Sequence, residues 1–340
     1  MNAVLALGGY SLEVTGNDEE FEWSRFHYYG LAIEDLKAAL ADPIVDGGRD
    51  TRRLLLATLL MCLFESIRGN TQGMFQGHLR ASRVLAQAVS NSGETDDGNL
   101  TNSLLGLYAY YEFLSSLRLP PNDEDFFIPH QSTMFQLPSV GDHSSPFGVA
   151  VGAAWPLYQM APRIYEFAVT RRIELVEGND MGCLEAFGNL RDDICELAID
   201  DVTNGPNGQT KDGQFAKARR AAAEVVRNAL LLFLYSSFFE DRACILELSQ
   251  PLVRSTVELL PDFILTPLIN TTFWPIVVVA SYATTIEHQT RFLSFLPPVM
   301  PLVTRGAEIL KGVWSSPSGA FGLEGLADIL DARGENYCFG

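Results

Sequence analysis

The chain has 340 residues, of which 47% are apolar and 19% charged, and its 24 Lys and Arg against 42 Asp and Glu give a formal charge of −18. It is too apolar and too weakly charged for disorder, and long enough for one large core or two cores sharing an interface. The acidic balance, with no long Lys/Arg run, argues against a nucleic-acid surface, because phosphates are held by clustered cations.

Residues 1–20 read as a mobile N-terminal segment. Met1–Leu7 is mildly apolar but lacks the basic start and the length of a signal peptide. The spacing then predicts a helix over Arg52–Arg68, capped by Asp50 or Thr51 and stopped by Gly69. Its apolar residues cover almost every face, which places it at the centre of a bundle. The next helix, Met74–Val89, gathers Phe75, Leu79, Leu85 and Val89 on one arc, with Arg80, Arg83 and Gln87 pointing away. The short Gly69–Gly73 turn makes the two an antiparallel hairpin.

Further helices are predicted over Asn102–Leu117, Leu157–Val176, Cys183–Asp200, Phe215–Phe239, Ile245–Leu260, Ile286–Leu296 and Leu302–Trp314. Phe263–Ile286 holds no charged residue and is long enough to span a bilayer, but Pro267, Asn270 and Pro275 interrupt it. It reads as two core helices broken near Asn270–Trp274. Ser90–Thr101, Pro120–Pro146 and Thr203–Gln214 are polar or rich in Pro and Gly, and read as loops. The expected fold is all-α, a multi-helix bundle or superhelical array built from helical hairpins. Its expected organisation is a domain over 21–316, with a front block 21–202, a linker 203–214 and a rear block 215–316. A C-terminal tail, 317–340, follows.

The five cysteines, Cys62, Cys183, Cys195, Cys244 and Cys338, are odd in number and irregularly spaced, and none forms C-x-x-C. That excludes a disulfide scaffold and a zinc ribbon. The five histidines form neither H-E-x-x-H nor E-x-x-H, and no nucleophile elbow, P-loop or G-x-G-x-x-G occurs. No cofactor is expected.

The sharpest enzyme-like string is Arg191–Glu196. On a helix, Asp192, Asp193 and Glu196 project close together, as Mg²⁺ with a bound diphosphate requires. A D-D-x-x-E string in an all-α chain resembles the first metal motif of terpene cyclases, but the second motif of that family is missing. The alternative is a solvated acidic face. Asp123–Phe127 alternates acid and aromatic, as a partner-binding segment or an anchored loop tip does.

The Leu54–Leu85 hairpin carries a family resemblance. An apolar helix ends in Phe64-Glu65; a Gly-rich turn follows, then His78-Leu79-Arg80-Ala81-Ser82-Arg83. This resembles the signature hairpin of the fungal-specific transcription factor domain. Tyr28-Tyr29-Gly30-Leu31-Ala32 with Leu36 and Leu40 resembles that family's N-terminal helix, and Leu105–Leu117 its aromatic third helix. Pro156-Leu157-Tyr158 resembles the opening of its middle section. Phe273-Trp274-Pro275-Ile276 resembles its Trp-Pro signature, Glu287 with Arg291 the acid–Arg spacing that follows, and Val313-Trp314 its late pair.

The resemblance implies an all-α regulatory region, in which Phe64, Glu65, His78, Arg80, Arg83, Trp274, Pro275 and Trp314 are structural. It implies action through protein partners, either transcription machinery or a second copy, or through a small-molecule effector, and a nuclear rather than cytoplasmic location. The family's six-cysteine zinc-cluster head has no counterpart in these residues, so DNA contact is not expected of them. A helical enzyme of a fungal biosynthetic pathway, using the acidic helix, is the alternative.

Overall fold

The computed structural model describes residues 1–15, 19–41, 49–69, 72–91, 98–116, 154–158, 160–177, 182–197, 199 and 213–335 apart from 267 and 297–299. Among them the chain is all-α. In the front half, α1 is Asn2–Thr15, α2 Glu19–Ala41, α3 Arg49–Ile67, α4 Met74–Asn91 and α5 Gly98–Ser116. The rear half begins with the short α6, Trp155–Tyr158, then α7, Met160–Glu177, α8, Gly182–Glu196, and α9, Gly213–Phe238. It ends with α10, Arg242–Leu259, a 3-10 turn Leu260–Asp262, α11, Ile269–Ser281, α12, Ile286–Phe295, α13, Pro301–Trp314, and α14, Gly322–Arg333.

The front half is a stack of hairpins. α1 packs along α2 and α3 along α4, and α3 also touches α1, α2, α5 and α13. That central place follows from its composition: Leu55, Leu59, Met61, Cys62 and Phe64 are all fully buried, on several faces of one helix. On α4 a polar strip faces solvent while Phe75, His78, Leu79, Ser82, Leu85, Ala86 and Val89 face the core.

The rear half is wrapped around α9, which touches α6, α7, α8, α10 and α11. From Ala218 to Leu234 its apolar side chains are buried. This helix is long and apolar enough to cross a membrane by length and composition, but 67% of its apolar stretch is buried inside the protein. Among the described residues the main core runs from Leu55 on α3 to Leu330 on α14, while α1 and α2 close two smaller clusters around Met61 and Phe64. Expected helices at 52–68, 74–89, 215–239 and 302–314 coincide with α3, α4, α9 and α13 to within a few residues.

Helix is present at three places where none was expected. The segment expected to be mobile is helical over Asn2–Thr15, with Ala3 and Ala6 buried against α2 and α3. The expected C-terminal tail contains α14, packed on α11 and α13. The break expected at Asn270–Trp274 lies earlier, in the 3-10 turn and the bend that leads to Leu268, and α11 runs unbroken through Asn270–Trp274. At 13 residues, α11 is also well short of the roughly 20 that a spanning helix needs. The loop expected at 120–146, the Asp123–Phe127 string and linker positions 203–212 lie outside the described residues.

Candidate functional site

Three polar constellations lie at helix junctions, and most of the signature residues belong to them. The first joins α2, α3 and α4. Phe64 is fully buried and stacks on Tyr29, ring centroids 4.7 Å apart. The next residue, Glu65, is also buried and pairs with Arg68 at 3.7 Å. Tyr29 Oη lies 3.1 Å from His78 Nε2. Burial first, and a hydrogen bond to Glu65 second, hold the Tyr29 hydroxyl above its usual range. One phenolic proton cannot serve two acceptors. Donation from His78 Nε2–H to Tyr29, and from Tyr29 to Glu65, gives each group a partner, and the second Glu65 oxygen, Oε2, faces the Arg68 guanidinium 3.7 Å away. Burial lowers the His78 pKa to about 4, so the ring is neutral at pH 7.

The second constellation ties α4 to α5. Arg83 Nη2 donates to Glu112 Oε1 at 2.6 Å, and the Tyr108 hydroxyl donates to the same oxygen at 2.9 Å. Glu112 is completely buried. Arg83, expected on the outward face of its helix, is therefore turned inward. A buried carboxylate needs a cation, and Arg83 supplies it at a modest sacrifice of its own hydration. Its neighbour Arg80 is exposed.

The third lies where α6 meets α11. The Trp274 indole is buried and its Nε1 donates to the Tyr158 hydroxyl at 3.2 Å, with the two rings edge to face at 5.8 Å. Tyr158 in turn donates to the Thr271 carbonyl at 2.8 Å. Pro275 has no N–H to give to the carbonyl four residues before it, which is that of Thr271. Tyr158 therefore replaces the helical bond that the proline removes. At the other end of α11, Trp314 Nε1 donates to the Ala280 carbonyl at 2.9 Å.

The acidic string is arranged differently. Asp192, Asp193 and Glu196 are exposed on α8. Asp192 pairs with Arg191 and Asp193 with Arg163, each at 2.7 Å. Among the described residues no group of three or more His, Cys, Asp or Glu could hold a metal ion. The structure does not bring these carboxylates together into a site.

Two groups escaped the sequence reading. Glu112 is a lone acid in an aromatic helix, and its spacing of four from Tyr108 was the signal that could have found it. Tyr282 is fully buried, and its hydroxyl receives the Leu323 N–H at 3.3 Å and pairs with the Ser236 hydroxyl. Its pKa is pushed up to about 12 by burial. No local pattern marks it, because its partners lie 41 and 46 residues away.

Two of the three junctions lie in hairpins and pair an aromatic–Glu helix with a His-Leu-Arg helix, and the third rests on a Trp-Pro helix. A family model for the fungal specific transcription factor domain matches residues 1–340. The chain belongs to that family. Neither a curated protein nor a solved structure matches it. Within this family member, then, the Phe64-Glu65, His78…Arg83 and Trp274-Pro275 motifs lie on helix–helix contacts, Trp274 in the main core and Phe64 in a smaller cluster with Ala6. The family supports a role in transcription regulation.

Proposed function

We propose that this chain is the helical regulatory region of a nuclear transcription regulator, that it works through protein–protein contacts, and that it does not itself touch DNA. The observation that carries the reading is the family match over the whole chain. Two features support it. Among the described residues the distinctive polar side chains His78, Arg83 and Glu112, and Glu65 through Tyr29, are bonded across contacts between helices. The net charge of −18 repels a phosphate backbone.

The enzyme alternative requires Asp192, Asp193 and Glu196 to share a cation, and two of the three are already paired with arginines. The experiment that tests the proposal tethers the chain to an unrelated DNA-binding domain upstream of a reporter gene in a fungal host. The expected result is a change in reporter output against the DNA-binding domain alone. Unchanged output, or turnover of a prenyl diphosphate by the purified chain with Mg²⁺, overturns it.

A further inference from the structure

We propose that the outer face of the α1–α2 hairpin docks an amphipathic helix whose apolar stripe is bordered by Lys and Arg. This names the partner's chemistry and rests on the reading that the chain acts through protein contacts. On α1, Ala3 and Ala6 face inward and are buried, while Val4 and Leu5 are 56% and 40% exposed. On α2, Ala32 and Leu36 face inward, while Trp23 and Phe26 are 66% and 40% exposed. Asn2 Nδ2 donates to Asp35 Oδ2 at 2.8 Å, which sets the start of α1 beside the second half of α2. Both helices rest on α3, and their antiparallel pairing puts Val4 and Leu5 towards one end of the hairpin and Trp23 and Phe26 towards the other, roughly two to three helical turns that one docked helix spans.

That surface is smooth as well as apolar. Gly8 and Gly30 sit on the outward sides of α1 and α2, and a Cβ built at either meets nothing within 4 Å. A partner backbone can therefore approach closely between the larger side chains. A tryptophan left two-thirds in water is costly unless something covers it, and large apolar side chains exposed along one helical hairpin mark interaction sites.

Charge selects the occupant. Between Met1 and Ala41 the sequence holds seven carboxylates and only Arg25 and Lys37 as cations. Glu34 and Asp35 are exposed beside the apolar strip. A second copy of the chain would bring acid against acid, each copy carrying −18. A helix with apolar residues on one face and basic flanks matches both properties, in the manner of helix-in-groove recognition.

The test uses the full chain and a synthetic helical peptide of about 18 residues, Leu on one face and Lys on the rest, with a matched peptide carrying Glu in place of Lys. The Leu/Lys peptide is expected to bind, and the Leu/Glu peptide about tenfold more weakly or not at all. Combining Trp23→Ser with Leu5→Ser is expected to weaken Leu/Lys binding about tenfold in a variant that still melts cooperatively with the parent's helix content. Leu184→Ser, on exposed Leu184 of α8, is expected to bind as the parent chain does. Equal binding of the two peptides, equal binding by the double variant, or equal loss with Leu184→Ser overturns the proposal. So does a dimer in sedimentation that the double variant dissolves, since the occupant would then be a second copy. A tethered-reporter response without peptide binding removes this face and leaves the regulatory reading standing. Peptide binding without a reporter response does the reverse.

Discussion

The Tyr158 hydroxyl donates to the Thr271 carbonyl, the acceptor that Pro275 cannot serve, at 2.8 Å. This one bond accounts for a proline that α11 tolerates in its interior and for a tyrosine on a helix of four residues. Removing the hydroxyl with Tyr158→Phe is expected to cost about 1–3 kcal/mol, since it strands a buried carbonyl and the Trp274 N–H. Pro275→Ala restores an N–H to the Thr271 carbonyl. The cost of Tyr158→Phe is therefore expected to shrink on a Pro275→Ala background, read from urea melts in a double-mutant cycle. Additive effects would contradict the replacement of one bond by the other.

The Arg83–Glu112 pair makes a prediction about order of loss. Arg83→Met leaves a fully buried carboxylate without its cation and is expected to cost about 3–5 kcal/mol. Adding Glu112→Leu is expected to recover much of that, because an apolar pair needs no compensation. A double variant less stable than Arg83→Met would show that the pair itself carries the stability.

His78 gives a pH signature. Its pKa falls from an ordinary 6.5 to about 4 on burial, so the unfolded chain binds the proton more readily. Stability is then full above pH 6.5 and falls as the pH drops toward 4, by up to about 3 kcal/mol from this group. His78→Gln is expected to flatten the difference in denaturation midpoint between pH 7 and pH 4.5 relative to the parent chain. Identical pH profiles would mean that His78 is not buried as a neutral ring.

Gly322 and Gly334 separate backbone strain from crowding. Both have φ of 63°, but a Cβ at Gly322 would lie 2.3 Å from the Tyr282 ring, whereas one at Gly334 meets nothing within 4 Å. Gly334→Ala is expected to cost about 1–2 kcal/mol, from the left-handed conformation alone. Gly322→Ala should cost a further 1–3 kcal/mol or so from the clash with Tyr282, and loosen α14. Equal melting points for the two variants would contradict the contact between α14 and Tyr282.

Much of this fold is legible in the sequence because it is local. The α3–α4 hairpin follows from an apolar run, a Gly-rich turn and a 3.6-residue arc, and the core residues on α4 are close to those the arc selects. What escapes is set by distance along the chain. Nothing near Arg83 says that it turns inward, because the reason is Glu112, 29 residues on. The break before α11 was misplaced because Pro275 reads as a helix breaker until Tyr158, more than a hundred residues earlier, is seen to take up its lost bond. The α1 segment has weak helical patterning by itself and gains its burial from α2 and α3. The signature motifs were recognisable, but their roles at helix junctions appear only in three dimensions.

The central claim is that the helical array regulates transcription through the proteins it contacts. The most direct measurement is reporter output from the chain tethered to an unrelated DNA-binding domain, with the purified chain assayed alongside for DNA binding at physiological salt. The account predicts altered reporter output and no gel shift. Unaltered output from a chain shown to be folded and nuclear, or a salt-sensitive gel shift by the chain alone, would contradict it.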